Sequence, residues 1–133
     1  MAKETGLGWT TLTVEDDAAS AKDIRNDLTN LDFATPFNTQ ETTGIDKFAI
    51  ERLHLLQDFS GTLTSVFNPA ANRVHAVMSG DLRVPREMVI VVSAQTLTNN
   101  VLFTDYALTR AAGGEFTAQH PFVLQDGTIP TWS

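Results

Sequence analysis

Cysteine is missing from all 133 residues. That removes disulfides, thiolate nucleophiles and cysteine-based metal sites, and it suits a protein that folds in a reducing cytoplasm. Long apolar runs are missing too: no stretch approaches the ~20 residues a membrane-crossing helix needs. The opening Met1-Ala-Lys-Glu-Thr-Gly6 leads into no apolar segment. We therefore expect no signal peptide and a soluble protein made inside a cell. Cations are few and scattered singly, nine Lys and Arg against sixteen Asp and Glu, for a net charge of −7. Phosphate binding needs clustered cations, so the balance argues against a DNA binder. The acidity serves solubility through self-repulsion, or a surface that must not adhere to nucleic acid.

Motifs for chemistry are also missing. His54, His75 and His120 have no metal-motif spacing, and no His-Glu-x-x-His occurs. His120 shares strand parity with Phe116, Ala118 and Phe122, so it is expected partly buried at a sheet end. No Gly-x-Ser-x-Gly elbow is present, and the glycine runs are too short for a phosphate loop. Asp16-Asp17 reads as a solvated turn. The expectation is a protein that is not an enzyme and holds no metal and no cofactor.

What is there reads mainly as strands in one compact domain. Trp9–Val14 is β-branched and aromatic, and Asp27–Ala34 alternates until Thr35-Pro36 interrupts it. Phe37–Thr43 is polar and extended, as in a hairpin arm. In Phe59–Phe67, residues Phe59, Leu63 and Phe67 share one face, and Ser60, Thr62 and Thr64 share the other. The MVIVV run within Glu87–Ser93 reads as a strand covered on both sides. Val101–Arg110 and Glu115–Leu124 are two further strands, joined through Gly113-Gly114 in a tight hairpin. Asn68-Pro69 predicts a helix start, with Val74, Val77 and Met78 on one face and Gly80 ending it. Asp46–Leu56 fits a helical and an extended period almost equally, and leans towards a short helix. The sum is a mainly β fold, a β-sandwich or barrel of about seven strands with one α-helix.

A series of short phrases runs in order along nearly the whole chain. They are Trp9–Val14, Asp23–Thr29, Ala34–Phe37, Glu41–Lys47, Ala49–Leu53, Gly61–Pro69, Leu102–Tyr106 and Val123–Trp132. In order and spacing the series resembles the major tail tube protein of siphophages, in particular the short single-domain forms from phages of actinobacteria. The resemblance implies a viral structural protein of the virion tail, made in the bacterial host cytoplasm. Its subunits form stacked, usually hexameric rings around a channel for the genome, and each sandwich joins its inner sheet to its neighbours. The implied partners are further copies of the chain and the tail terminator, tape measure and tail-tip proteins. DNA would pass without specific binding, and no membrane is involved.

On this resemblance the polar strand faces become candidate channel linings: Asn30, Asp32, Ser60, Thr62, Thr64, Asp105, Glu115, Thr117 and Gln119. Asp105 is the weaker member, because Val101 and Phe103 share its parity. A lining rich in carboxylates would repel phosphate. The arm and connection at about 37–57 are long for a sandwich loop, and long loops in small domains are usually functional. Phe37, Gln40, Glu41, Lys47, Phe48 and Arg52 are therefore candidates for contact with a neighbouring subunit or the next ring. The termini, Met1–Gly8 and Asp126–Ser133, are expected to be flexible and to make axial contacts, with Trp132 docking on something. Two other readings stay open: the inner tube of a contractile tail or injection system, which shares the fold and differs in a sheath-binding outer surface, and a β-sandwich ligand-binding module. The module would need an aromatic platform, and Trp9, Tyr106 and Trp132 are far apart in sequence.

Overall fold

The computed structural model describes residues 3–133. Ten strands are β1 (Trp9–Glu15), β2 (Ala21–Asp23), β3 (Leu28–Ala34), β4 (Phe37–Glu41), β5 (Arg52–Gln57), β6 (Ser60–Val66), β7 (Arg86–Val92), β8 (Gln95–Phe103), β9 (Ala107–Arg110) and β10 (Phe116–Leu124). One α-helix, α1 (Val74–Met78), lies between β6 and β7. Eight strands form an antiparallel sheet in the order β2-β1-β7-β8-β10-β6-β3, with β9 also on β10; β4 and β5 pair only with each other.

The sheet rolls over on itself. β1 and β3 stand far apart in the strand order, yet the rings of Trp9 and Phe33 meet edge to face at 6.3 Å. The chain thus makes two four-stranded layers, β2-β1-β7-β8 and β9-β10-β6-β3, joined where β8 meets β10. Strand alternation sends one side of every strand between the layers. Leu12 and Val14, Met88 and Ile90, Leu97 and Val101, Phe122, and Phe59 and Leu63 are all fully buried there. The fold is mainly β, as the alternation in the sequence indicates.

β10 shows why local sequence sets strand ends. Its first half pairs with β9 and its last three residues pair with β8. Between them the chain leaves the ladder at Thr104–Tyr106, opposite Pro121, which has no N–H to donate. Thr104 instead donates its N–H to the Pro121 carbonyl at 3.0 Å. The β9–β10 hairpin closes as its glycines predict: Ala111 donates to Glu115 O, and Gly114 takes φ +100°.

The helix is shorter than expected and begins later. Val74, Val77 and Met78 are buried as expected, but the helix runs only from Val74 to Met78. Asn68 caps a preceding turn by accepting from Ala70 N–H at 3.1 Å. The buried Asp27, in a 3₁₀ turn before β3, accepts the Val74 N–H at 3.1 Å and an Asn68 Nδ2–H at 2.7 Å. A carboxylate 47 residues away thus takes the place of a local cap. Gly80 directly follows the C-cap Ser79, in the expected place though without a positive φ, and it clears room for Asp17, whose Oδ2 would lie 2.7 Å from a Cβ there. Fully buried Arg86 holds the other helix end, donating to the carbonyls of Val77, Asp81 and Glu15. Burial pulls its guanidinium below the ordinary arginine value, opposed by Asp17, Asp16 and Asp81.

Three other expectations change. Asp46–Leu56 is not helical: its end belongs to β5, because the pairing partner for those backbone groups is β4. The MVIVV strand is buried on one face only; Val89 and Val91 point to the half-exposed side, where no second layer covers them. His120 is fully buried, not partly, because β9 and Tyr106 close over the β10 position it occupies.

Candidate assembly surfaces

The outer side of the β3-β6-β10-β9 layer collects most of the polar positions singled out above. Residues facing each other in adjacent strands project to the same side. Asn30 opposes Thr64, which opposes Gln119, which opposes Ala107. Asp32 opposes Thr62, and Ala34 opposes Ser60. Val66 opposes Thr117, which opposes Thr109. The structure therefore brings Asn30, Asp32, Ser60, Thr62, Thr64, Thr117 and Gln119 onto one continuous face. These rows hold no cation and one carboxylate, that of Asp32.

Two of the nine positions lie off this face. Asp105 sits in the break between β8 and β9, where its carboxylate accepts the Tyr106 N–H at 2.7 Å. Glu115 lies in the hairpin turn ahead of β10, beside Gly113.

Both edges of this layer are open. β3 pairs only with β6, and β9 only with β10. Ladder bonds alternate along an antiparallel strand, so with Ala111 bonded to Glu115 the backbone groups of Leu108 and Arg110 point to the free edge. Unpaired edges of this kind invite another strand.

The arm extends the β3–β6 hairpin past the sheet. The joint is at Pro36, whose carbonyl accepts the Asp58 N–H at 2.8 Å, and at Thr35, whose carbonyl accepts from Gln57 Nε2 at 3.3 Å. Beyond it β4 and β5 carry exposed residues on both sides. Phe37, Gln40, Glu41, Lys47, Phe48 and Arg52 all lie on this arm and are exposed. Phe37 leans on His54 at 4.7 Å, and Lys47 pairs with Asp46 at 3.7 Å. Ile45 and Phe48 at the tip are fully exposed, Ile50, Leu53 and Leu56 are more than half exposed, and Leu55 is 49% exposed. Clustered exposed apolar side chains of this kind are a common feature of interaction surfaces.

No family model matches the chain, and no curated protein matches it in sequence. Its fold is shared. A chain in the virion of a native gene transfer agent particle superposes with a TM-score of 0.70 at 12% identity, covering 98% of this chain and 99% of that one. A chain in the tail of an empty gene transfer agent particle, refined helically with C6 symmetry, gives a TM-score of 0.71 at 13% identity, covering 98% of both chains. At such identities the likeness is one of fold.

The arm residues Ile45, Ile50, Leu53, Leu55 and Leu56 were missed as surface residues by sequence reasoning. They stand outside the six arm candidates chosen for contact, although the length of the connection at about 37–57 pointed to a projecting segment. Trp132 is half exposed and stacks near Phe33, with ring centroids 6.2 Å apart. It bridges to Leu97, and Ser133 exchanges two backbone hydrogen bonds with Thr96 at 2.8 and 2.9 Å. The C-terminal residues thus add to the β8 edge of the same chain. Of the N-terminal segment Met1–Gly8, Met1 and Ala2 lie outside the described residues. Among the described residues no cluster of three or more His, Asp or Glu is placed to hold a metal ion, and no helix is long and apolar enough to cross a membrane.

Proposed function

We propose that the chain is a structural subunit of a phage-like tail, and within it the tube protein that forms stacked rings of six copies around a channel for DNA. The observation that carries this reading is a four-stranded polar face with both edges open, in a chain that shares its fold with a C6-symmetric tail. Setting β9 of one copy beside β3 of the next continues the sheet, satisfies both edges and closes without leaving a free strand. The side chains turned to the channel are then mainly hydroxyls and amides, with Ala34, Val66 and Ala107 among them. Asp32, repeated by symmetry, gives a ring of carboxylates that repels phosphate, so DNA slides without being held. The exposed arm supplies the contact that joins copies. Terminator, tape-measure and tail-tip proteins are the partners this role requires, and the virion tail is its location.

Negative-stain electron microscopy of purified protein tests the reading. Rings or tubes with a central channel support it; a monomer at every concentration, even with a tail-tip nucleus present, sinks it. Arg110→Pro removes an edge donor without cutting the β9–β10 ladder. That variant is expected to stay folded and to lose ring formation.

A further inference from the structure

A file of aromatic and imidazole rings runs from the surface to the core beside β9. Between centroids, Phe116 lies 5.0 Å from Phe67, Phe67 4.8 Å from His75, His75 5.9 Å from Tyr106, and Tyr106 5.0 Å from His120. The outer four keep some exposure, and His120 has none. Tyr106 covers it: the two rings stack at 30°, and the phenol hydroxyl is tied to α1, 3.0 Å from His75 Nδ1. Yet the segment carrying Tyr106 is weakly held. Thr104–Tyr106 belong to no strand, and β9 after them is four residues long, exposed throughout and bound to β10 alone. Edge segments of this kind open at far lower free energy than the whole domain.

A charged His120 does not fit the closed arrangement. Nε2 meets Ser65 Oγ at 2.8 Å, whereas Nδ1 is buried with no partner among the described residues. A neutral ring with its proton on Nε2 tolerates this, because Nδ1 is then only a bare acceptor. An imidazolium must donate from both nitrogens, and a buried charged donor without an acceptor is costly. The surrounding segments offer no counter-ion. β6 and β8 carry no charged residue, β10 none beyond His120, α1 has His75, and β9 has Arg110 at its far end, opposite Phe116. The one carboxylate on the break, Asp105, is exposed and accepts the Tyr106 N–H. His75 is not the trigger, since the phenol hydroxyl can accept from its Nδ1 as readily as donate to it.

We infer that Tyr106 and β9 form a lid over His120 that opens when His120 takes up a proton, and that opening withdraws the free edge on which ring closure depends. The consequence for rings rests on the tube reading; the lid does not. In the closed state burial alone acts on the imidazole, pulling it down to about 4. The opened state carries an ordinary imidazole, so it gains population as pH falls below about 6.5. By the same linkage, pairing of β9 with a neighbouring copy holds the lid shut and keeps His120 neutral.

Amide exchange in the unassembled protein reads the lid. The Ala107 and Thr109 amides point to β10, by the alternation that turns Leu108 and Arg110 outward. Corrected for intrinsic rates, their exchange should rise about tenfold between pH 7 and pH 5.3. It should also be indifferent to low urea, because a local opening exposes little surface. Exchange that matches the Ile90 amide of β7 in rate and urea dependence would reflect global unfolding and overturn the lid. His120→Gln should abolish the pH dependence; a folded variant that keeps it overturns the inference as well. Should the variant not fold, the exchange of the natural sequence alone decides. Assembly reads the consequence. The concentration needed for tubes should rise about tenfold over the same pH range, and much less for His120→Gln. An equal rise in both proteins overturns the link between lid and edge. Failure to form tubes at neutral pH defeats the tube reading instead, and exchange in the monomer still decides the lid.

Discussion

Ser65 Oγ and His120 Nε2 lie 2.8 Å apart between the two layers, and both residues are fully buried. The imidazole stacks on Tyr106 at 5.0 Å, and the Tyr106 hydroxyl lies 3.0 Å from His75 Nδ1. Burial pushes His120 down to about 4 and the Tyr106 phenol up. His120 is therefore neutral in the fold and protonates in the unfolded chain below about pH 6.5.

Stability follows from that difference. The unfolded state binds more protons between pH 6.5 and 4, so this contribution is fully present above pH 6.5 and is lost as pH falls. The loss amounts to about 3 kcal/mol by pH 4. Urea unfolding at pH 7 and pH 4.5 should show a marked drop for the natural sequence. His120→Gln should be less stable at pH 7 and should flatten the pH dependence over this window. An equal drop in both proteins would mean that other groups carry it.

Asp27 is the long-range cap of α1. Asp27→Ala leaves the Val74 N–H and the Asn68 amide without their acceptor in a buried place, at a cost of about 2 kcal/mol. Denaturant midpoints measure it. A variant within 0.5 kcal/mol of the natural protein, roughly the size of a neutral surface change, would show that water replaces the carboxylate.

Gly61 lets β3 and β10 approach β6. A Cβ there would lie 2.0 Å from the Asp32 carbonyl oxygen, 2.7 Å from Phe33 Cα and 2.8 Å from Phe122 Cζ. Two of these atoms are backbone, so the ladder itself must shift. Gly61→Ala is expected to cost about 3 kcal/mol, the upper part of the range for overpacking. Thermal unfolding of the variant checks this.

Asp32→Lys separates channel chemistry from folding. The side chain is exposed on the polar face, so monomer stability should change by no more than about 0.5 kcal/mol. Tubes should form, and DNA delivery should fall because the repulsive carboxylate becomes a phosphate-binding cation. Normal delivery by particles carrying the variant would remove Asp32 from the channel wall.

Much of this was written locally. The alternation of Phe59–Phe67 decides which side of β6 is buried, since residues two apart must share a face. Gly113-Gly114 decides where β9 turns into β10, because the turn needs a positive φ. Thr35-Pro36 decides where the sheet ends and the arm begins. Asp46–Leu56 was not legible in the same way. Its apolar residues fit both periods, and a segment that no layer covers carries no burial pattern to separate them.

By itself, then, the sequence determined the strand faces, the hairpin turns, the acidic and cysteine-free character, and the want of any motif for catalysis. Those are properties of neighbouring residues and of simple counts. Only the tertiary structure decided that the polar rows of β3, β6 and β10 form one surface, and that its edges and the arm are left without partners. It also decided that Asp27 caps a helix 47 residues away and that His120 is sealed from water. Each of these depends on which strands lie side by side after the sheet rolls, a non-local choice made by burial of the shared core.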